Sequence, residues 1–448
     1  MGSVHAQVYS VLRSFTNMPD AATPYAGLVL GSNTLYGTTI FGGTSGWGSI
    51  FKINTDGSGY QVLKSFSKPA WSNTLSANTN ADGYEPVTSL VLDGGTLYGT
   101  ADGGTNGGGV LFRIGTDSSG YTVLFNSDTL LGELGQLTLF SNVLYGTASS
   151  LENDGSIFRI NVDGTGLKIL KTYSGSSGNN FTNADGVGPT GPVAVSADGT
   201  TLYGATRFGG PGAEGTIFKI GTDGKGFQML TNFGGPYNPI SEPMGGLIIN
   251  GNALFGTCSG GKYGNVFEIN TDGTGLTNFS TVATNNPIGQ SLEPIFLWNG
   301  TLYGTTWKGG SSTAGVVFRV DTNGNNFSVI KNLRGGNGSM PYSSVVVSNG
   351  VIYGTTHQGG TKNQGVVFKI DLTSVPVVDI QTAYVASNYF YLGWNSITGE
   401  QYQIQYLTDL SQTNWHIIDS VTASNNPVLV GYPKWTDRQR FYRVVYQP

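Results

Sequence analysis

The sequence predicts an all-β fold, a seven-bladed β-propeller with four-stranded blades followed by a small β-sandwich. A tetrapeptide of the form LYGT recurs seven times, and each copy lies in a longer unit with signals for four short strands. The composition agrees, since 70 of the 448 residues are glycine, 12% are aromatic and only 11% are charged. Units of about 50 residues with four strands joined by tight turns are typical of propeller blades.

The repeated unit has the same internal order in each copy. A short apolar run and a turn precede the LYGT strand, and a Gly-Gly loop follows it. A third strand of the form G-x-[IV]-F-[KR]-I and a TDGSG-like turn then lead to a fourth strand. The tetrapeptides begin at Leu35, Leu97, Leu144, Leu202, Leu254, Leu302 and Ile352. Alternating apolar residues between glycine-rich turns predict strands and hairpins at these places.

The last unit has no fourth strand of its own. After Val366–Ile370 the TDGSG turn is missing, whereas the N-terminal segment Val8–Phe15 matches Tyr60–Phe66 of the first unit. We therefore predict that the N-terminal strand completes the seventh blade as its outermost strand. Ring closure of this kind removes an open sheet edge.

The unit resembles the GloVer tandem repeat of "choice-of-anchor" bacterial surface proteins. The resemblance rests on the pattern LYGT…GG…G-x-[IV]-F-[KR]-I…DGSG and covers residues 7–373. It implies an exported, envelope-associated propeller and implies no particular activity.

The two ends of the chain differ from the repeats. Residues 1–6 resemble an expression start followed by the small-x-small remnant of a signal-peptide cleavage site, so we expect an exported protein. Residues 376–448 carry alternating strand patterns and little glycine. These patterns predict an immunoglobulin-like or fibronectin-III-like sandwich, which serves as a spacer or as a glycan- or surface-docking module.

Composition also excludes several classes of function. The net charge is −5 and no run of lysine or arginine exists, which argues against nucleic-acid binding. The single cysteine, Cys258, excludes an internal disulfide, and no apolar run is long enough for a membrane helix. The TDGSG turns carry too few carboxylates for calcium. We expect no metal, no cofactor and a monomer.

Residues that differ between equivalent repeats are the candidates for function, because packing does not require them. Five residues after the first residue of each tetrapeptide the chain reads Ile40, Asp102, Ser149, Arg207, Ser259, Trp307 and His357. The following position includes Phe208, Lys308 and Gln358. Equivalent positions of a propeller form a ring, so we expect these side chains around the central opening.

Aromatic residues are frequent on the same predicted loops. They include Phe41, Trp47, Trp71, Tyr237 and Trp307, with Tyr84 and Tyr342 nearby. Such rings stack on the apolar faces of sugars, while polar side chains bind the hydroxyls. Several of these rings have an alternative role in closing the gaps between blades. The sequence thus predicts a ligand-binding set of Phe41, Trp47, Trp71, Arg207, Phe208, Tyr237, Trp307, Lys308 and Gln358.

A catalytic alternative uses the same face. His357 is the one histidine of the repeats and would act as a general base, with Arg207 or Lys308 stabilising a developing enolate, as a polysaccharide lyase requires. Asp102 and Glu293 are candidates for the paired carboxylates of a glycoside hydrolase, although no spacing singles out a pair. The catalytic candidates are therefore His357, Arg207, Asp102 and Glu293.

Three hypotheses follow for the whole chain. The first is an exported propeller that recognises a polysaccharide or oligosaccharide on its loop face. The second is an enzyme using that face, a polysaccharide lyase in preference to a glycoside hydrolase. The third is a cell-surface scaffold for protein interactions.

Overall fold

The computed structural model describes residues 8–128, 131–149, 154–175, 182–234, 241–260, 264–279, 294–372, 380–396, 401–409, 414–434 and 440–447. Within these ranges the fold is all-β, and the only helical segment is a single 3₁₀ turn at Gly335–Asn337. The predicted all-β class is confirmed. Contacts divide the chain into two compact units, one of Ser10–Lys369 and one containing Ile370–Pro448.

Short strands fill the first half of the repeat region. In chain order they are β1 (Val8–Ser14), β2 (Ala21–Ala22), β3 (Val29–Gly31), β4 (Thr34–Thr39), β5 (Phe41–Gly42), β6 (Ser49–Asn54), β7 (Gln61–Ser65), β8 (Ala70–Ser72), β9 (Ala77–Thr79), β10 (Val91–Asp93), β11 (Thr96–Ala101), β12 (Val110–Gly115), β13 (Thr122–Asn126), β14 (Glu133–Phe140), β15 (Val143–Ser149), β16 (Ser156–Asn161) and β17 (Lys168–Thr172).

The second half continues the same alternation of strand and turn. Its strands are β18 (Val187–Val195), β19 (Thr201–Phe208), β20 (Thr216–Gly221), β21 (Gln228–Asn232), β22 (Ile248–Asn250), β23 (Ala253–Cys258), β24 (Asn265–Asn270), β25 (Thr277–Asn278), β26 (Phe296–Trp298), β27 (Thr301–Thr306), β28 (Val316–Asp321), β29 (Ser328–Asn332), β30 (Val346–Ser348), β31 (Val351–Thr356) and β32 (Val366–Asp371).

These strands form seven four-stranded antiparallel sheets among the described residues. Sheets 1 to 6 have the orders β3-β4-β6-β7, β10-β11-β12-β13, β14-β15-β16-β17, β18-β19-β20-β21, β22-β23-β24-β25 and β26-β27-β28-β29. Sheet 7 has the order β30-β31-β32-β1, so the N-terminal strand is its fourth strand. Phe15 donates its N–H to Gly365 O at 3.0 Å, as Phe66 does to Gly48 O in sheet 1.

The glycine of each LYGT strand has a packing reason. In every sheet it pairs with, and lies under the ring of, the phenylalanine of the third strand, so a Cβ on the glycine would lie less than 3.0 Å from the ring. The pairs are Gly37–Phe51, Gly99–Phe112, Gly146–Phe158, Gly204–Phe218, Gly256–Phe267, Gly304–Phe318 and Gly354–Phe368. The seven phenylalanines are fully buried. The two most regular letters of the repeat therefore form one contact.

Neighbouring sheets share hydrophobic cores. One core contains Leu35 and Phe51 of sheet 1 together with Tyr353 and Val367 of sheet 7, and it includes Phe15 at the end of β1. Similar cores join sheet 1 to sheet 2, 2 to 3, 3 to 4, 4 to 5 and 5 to 6. The sheets therefore pack in sequence order, with the last beside the first.

The threonine of LYGT forms a second contact between sheets. Its hydroxyl donates to a backbone carbonyl just before the first strand of the next sheet or near its start: Thr38 to Thr88 O at 3.2 Å, Thr100 to Gly135 O at 3.3 Å and Thr305 to Ser343 O at 2.7 Å. Thr355 of sheet 7 donates to Ala26 O, before sheet 1, at 3.1 Å. The recurring tetrapeptide thus specifies packing within a sheet and between sheets.

Partly buried ion pairs lie at three of the junctions between sheets. A cation on the fourth strand meets an aspartate of the following segment, as in Arg13–Asp20 at 2.7 Å and Lys64–Asp82 at 2.5 Å, and Lys171–Asp185 repeats the arrangement. The same aspartates accept the backbone N–H of the second residue after the fourth strand, as Asp20 does from Thr16. These carboxylates therefore fasten the chain where it passes to the next sheet.

Asn337 occupies the corresponding place after sheet 6. Its Oδ1 accepts the N–H of Arg334 at 2.9 Å, and Lys331 stands at the sequence position of Lys64 and Lys171. Burial and the neighbouring Arg334 lower the pKa of Lys331 to about 8. A lysine whose folded pKa is below its ordinary value destabilises the fold at neutral pH, and this penalty disappears as the pH rises from about 8 toward about 10.4.

We therefore expect Asn337→Asp to stabilise the protein at pH 7. A carboxylate at this place would raise the pKa of Lys331 and increase the free energy of unfolding by about 1–2 kcal/mol, allowing for partial exposure. The urea midpoint measured at pH 7 and pH 10.5 checks this, and the gain should be present only at the lower pH. The same substitution in a Lys331→Met background should give no gain, and a gain there would contradict the pairing.

The TDGSG turns are closed by their own aspartates. Asp56 Oδ1 accepts the backbone N–H of Ser58 at 2.8 Å and its hydroxyl at 2.6 Å, and Asp163 and Asp272 bind Thr165 and Thr274 in the same way. These hydrogen bonds lower the pKa of the Asp56 carboxyl. The recurring aspartate therefore has a local structural role.

The second unit forms two three-stranded sheets. Its strands are β33 (Ile380–Ala386), β34 (Tyr389–Trp394), β35 (Gln401–Leu407), β36 (His416–Thr422), β37 (Val428–Pro433) and β38 (Phe441–Gln447), in the orders β33-β34-β37 and β36-β35-β38. One buried core draws on both sheets, with Leu392 and Trp394 from the first and Tyr402, Ile404 and Val444 from the second.

Candidate functional site

The predicted ring positions occupy equivalent places in the sheets. Asp102, Trp307 and His357 directly follow β11, β27 and β31, and Arg207 lies near the end of β19. Because the first and second strands of each sheet are antiparallel, the segment entering the first strand lies at the same edge. Each sheet therefore contributes two short segments to one loop face.

The entering segments are held by a repeated backbone contact. The residue before the entry proline has positive φ, as in Thr23 (52°), Glu85 (46°) and Met340 (54°). Its N–H donates to the loop of the preceding sheet: Thr23 to Gln364 O at 2.7 Å, Glu85 to Trp47 O at 2.9 Å and Met340 to Ala314 O at 2.8 Å. Glu242 makes the same bond to Glu214 O at 2.8 Å. The loop face is therefore built on fixed backbone.

Four rings from sheets 6, 7 and 1 meet on this face. Tyr342 stacks on Trp307 with ring centroids 5.8 Å apart and an interplanar angle of 21°, and on Tyr25 at 5.0 Å and 17°. His357 lies edge-on to Tyr342 at 5.1 Å and to Tyr25 at 6.0 Å. We call Tyr25, Trp307, Tyr342 and His357 the aromatic cluster. All four are partly exposed.

Polar groups border the aromatic cluster. The Lys308 ammonium lies 3.9 Å from the centroid of the Trp307 ring, and Lys308 is exposed. Trp307 Nε1 and His357 Nδ1 are buried atoms with no hydrogen-bond partner among the described residues. Burial lowers the pKa of His357, so its imidazole is neutral at pH 7. The cluster combines apolar rings with unused polar atoms, and the Lys308 ammonium lies at its border.

A different environment surrounds Asp102 in sheet 2. Its backbone exchanges hydrogen bonds with Tyr84 at 2.9 Å in both directions, and Trp47 lies edge-on to Tyr84 at 5.8 Å. Burial, with Glu133 and Glu85 nearby, raises the pKa of Asp102 to about 7. This side of the loop face therefore carries several carboxyl groups, and the carboxyl of Asp102 is partly protonated near neutral pH.

Arg207 in sheet 4 has partners of its own. Its guanidinium lies 3.3 Å from Glu242 Oε2 and 4.7 Å from the centroid of Phe208. Ser259 Oγ donates to the same carboxylate oxygen at 3.3 Å. Arg207 is thus already paired with a carboxylate of its own neighbourhood, at a partly exposed position.

The structure brings together only part of the predicted set. Trp307, Lys308 and His357 meet in the aromatic cluster, and Gln358 pairs with Ser339 beside it. Among the described residues, no ring contact or hydrogen bond joins Asp102 or Arg207 to His357. Tyr237 and Glu293 lie outside the described residues.

Two predicted aromatics are isolated from the cluster. Phe41, 43% exposed, lies on β5 and pairs with Ala22 of β2. Trp71, 63% exposed, lies on the β8–β9 hairpin inserted between sheets 1 and 2. The residue that the prediction missed is Tyr25, and its signal is the Pro-Tyr pair that recurs at equivalent places in Pro24-Tyr25 and Pro341-Tyr342.

Among the described residues, no helix has the length and apolar character needed to cross a membrane. The recurring four-stranded sheets define an all-β protein of the β-propeller-like class, built from tandem repeats. The chain belongs to the Gloeobacter/Verrucomicrobia repeat family, whose model matches residues 3–187 and again 188–388. The predicted repeat family is therefore confirmed.

Solved structures with the same general fold are distant in sequence. A puromycin-hydrolyzing peptidase of Mycobacterium tuberculosis is 10% identical with a TM-score of 0.53, the match covering 83% of this chain and 57% of that one. A puromycin hydrolase is 12% identical with a TM-score of 0.52, covering 84% and 59%. An oligogalacturonate lyase of Vibrio parahaemolyticus is 9% identical with a TM-score of 0.50, covering 81% and 93%. The comparison with curated proteins gives no match. At these identities the likeness concerns the fold alone.

Proposed function

We propose that residues 7–373 form a closed seven-bladed propeller and that residues 376–448 form an immunoglobulin-like or fibronectin-III-like sandwich. Seven four-stranded sheets, the position of β1 in sheet 7 and the contacts between sheets 7 and 1 support closure. The shared core of the two C-terminal sheets supports the sandwich. A place outside the cell or on its envelope fits the repeat family.

We infer that this propeller recognises a polysaccharide or oligosaccharide at the aromatic cluster. The observation that carries the inference is the run of three nearly parallel rings, Trp307, Tyr342 and Tyr25, on the loop face. Rings fixed by mutual stacking lose little entropy on binding and offer apolar surface to the C–H faces of sugars. The indole N–H and the imidazole supply hydrogen bonds to hydroxyls.

The positive charge of Lys308 restricts the class of polysaccharide that we propose as the ligand. Lys308 stands over Trp307, and none of the four rings of the cluster carries negative charge. An ammonium group binds a charged carboxylate more strongly than a neutral hydroxyl. We therefore propose that the ligand is an acidic polysaccharide and that one of its uronic-acid carboxylates lies near Lys308. The acidic environment of Asp102 lies in sheet 2, away from this contact set.

The experiment compares two tryptophans of the same sheet. Trp307→Ala should weaken binding of the full chain to polygalacturonate or alginate at least tenfold, because it removes a stacking face and the ring beneath Lys308. Trp298→Ala is the matched control, since Trp298 lies at the opposite end of sheet 6. Affinity electrophoresis and isothermal titration at two salt concentrations measure the change.

Loss of binding in Trp307→Ala alone, with weaker binding at high salt, would support recognition of an acidic chain. Equal binding by both variants, or no binding to any acidic polysaccharide, would contradict it. Capture of a protein partner lost in Trp307→Ala would instead favour the scaffold hypothesis. Each of these results tests the class of ligand independently of the fold.

A polysaccharide lyase is the second candidate. The observation that favours it is the position of the His357 imidazole edge-on to two tyrosines, and burial there lowers its pKa and so favours the neutral base. In such a reaction the imidazole would remove the proton beside the uronate carboxylate, the glycosidic C–O bond would break by elimination, and a tyrosine would protonate the leaving oxygen. One solved structure of similar fold is an oligogalacturonate lyase. Ultraviolet absorbance from unsaturated product, lost in His357→Ala, distinguishes this activity from binding alone.

A further inference from the structure

The outer face of the sheet β33-β34-β37 carries a group of tyrosines that is not part of the aromatic cluster. The strand registers align Tyr384 with Tyr391 and Gly431, and Ala386 with Tyr389 and Pro433. Alternate residues of these strands, including Leu392, Trp394 and Val428, belong to the buried core. The tyrosines therefore point away from the core, because side chains alternate across a strand.

The tyrosine rings are held in place by contact with one another and with the backbone at Gly431. Tyr384 stacks on Tyr391 with centroids 4.9 Å apart and an interplanar angle of 13°, and Tyr389 lies 6.3 Å from Tyr391. A Cβ at Gly431 would lie 2.8 Å from the Tyr391 ring, so the absence of a side chain lets that ring lie against the backbone. Tyr384 is 44% exposed and Tyr389 is 46% exposed. We call this surface the tyrosine platform.

The tyrosine platform is uncharged. The positions of the three strands that face outward are Thr382, Tyr384, Ala386, Tyr389, Tyr391, Gly393, Leu429, Gly431 and Pro433. None is acidic or basic, and the polar groups among them are hydroxyls. A surface of this kind offers apolar contact and neutral hydrogen bonds, and it has no charge with which to select a charged partner.

The size of the platform argues against a protein partner. Three adjacent strands and five residues along each give an area of roughly 10 Å by 13 Å. A stable protein interface buries about 800 Å² on each partner, which is several times larger. A second copy of the chain is disfavoured for the same reason. Two or three sugar rings, in contrast, fit the length of the platform.

We propose that the tyrosine platform binds a neutral polysaccharide chain whose sugar rings stack on Tyr384 and Tyr389. Equatorially substituted pyranoses present flat C–H faces to aromatic rings, and the tyrosine hydroxyls are available to the sugar hydroxyls. The proposal is independent of the aromatic cluster, which lies in the repeat region and is bordered by the Lys308 ammonium. Together the two surfaces would give one chain contacts with two types of polymer, and binding at both would increase retention through effective concentration.

The experiment uses the full chain and affinity electrophoresis in gels containing hydroxyethyl cellulose or xylan. The unmodified protein should be retarded, and Tyr384→Ala together with Tyr389→Ala should weaken retardation at least tenfold in apparent Kd. Val385→Ala is the matched control, because Val385 is 55% exposed on the same strand but faces the other way. Its retardation should equal that of the unmodified protein.

Trp307→Ala separates this proposal from the one on the propeller. It should leave retardation by the neutral polymers unchanged even where it removes binding to acidic ones. Unchanged retardation in the double tyrosine variant, equal loss in Val385→Ala, or no retardation by either neutral polymer would overturn the proposal. Concentration-dependent dimerisation abolished by Tyr384→Ala would also overturn it, in favour of contact between copies.

Discussion

Gly99→Ala should destabilise the protein strongly although it adds a single methyl group in a β-strand. The new Cβ would lie 2.6 Å from Phe112 Cζ and 2.8 Å from Leu90 Cδ2, and Phe112 is fully buried between strands. Overpacking of this kind costs about 1–3 kcal/mol, and we expect the upper part of that range because backbone holds the glycine in place. The urea midpoint of the full chain measures the loss.

Two variants make this prediction specific. Gly95→Ala, in the turn before the same strand, meets only Thr116 Oγ1 at 3.9 Å and should change the midpoint little. Phe112→Leu combined with Gly99→Ala should recover part of the loss, since a smaller side chain vacates the space that the methyl needs. If Gly99→Ala matched Gly95→Ala, the contact would not explain the motif.

Deleting residues 8–15 should have a still larger effect on the folded state. Phe15 is fully buried, its ring lies 5.2 Å from Phe51, and Arg13 pairs with Asp20 at 2.7 Å. The deletion removes the fourth strand of sheet 7 and leaves β32 as an unpaired edge, which promotes aggregation. Loss of buried apolar surface alone amounts to several kcal/mol, at about 1.5–3 kcal/mol for each large side chain.

Size-exclusion chromatography and the thermal midpoint measure this outcome. We expect the truncated chain to aggregate or to unfold well below the full chain, since natural proteins have only about 5–15 kcal/mol of stability. A chain beginning at Val8 is the control and should behave as the full chain does. A monomeric truncated protein with an unchanged midpoint would contradict the role of β1 in sheet 7.

The repeat explains why so much of the fold could be predicted. A glycine and a phenylalanine equivalent to Gly99 and Phe112 recur in every unit because they touch, and the threonine that follows the glycine recurs because its hydroxyl bonds to the next sheet. A pattern repeated seven times separates packing residues from variable ones without any other sequence. The match of Val8–Phe15 to Tyr60–Phe66 likewise follows from a shared strand position.

The candidate site was predicted less completely, for reasons that lie in three dimensions. Tyr25 and Tyr342 stack although they stand at opposite ends of the repeat region, and only the meeting of sheets 1 and 7 brings them together. The pKa of Asp102 depends on burial and on Glu85 and Glu133, which no local pattern reveals. Trp71 shares the residue type of Trp307 but lies on a separate hairpin. Residue type alone therefore could not distinguish members of the cluster.

A crystal of the full chain soaked with oligogalacturonate tests the proposed ligand and its site together. The account predicts sugar density in contact with the rings of Trp307 and Tyr25, with a carboxylate within about 3 Å of Lys308 Nζ, as charge-assisted hydrogen bonds require. Density beside Trp47 and Asp102 instead, or none at the aromatic cluster at saturating concentration, would contradict it.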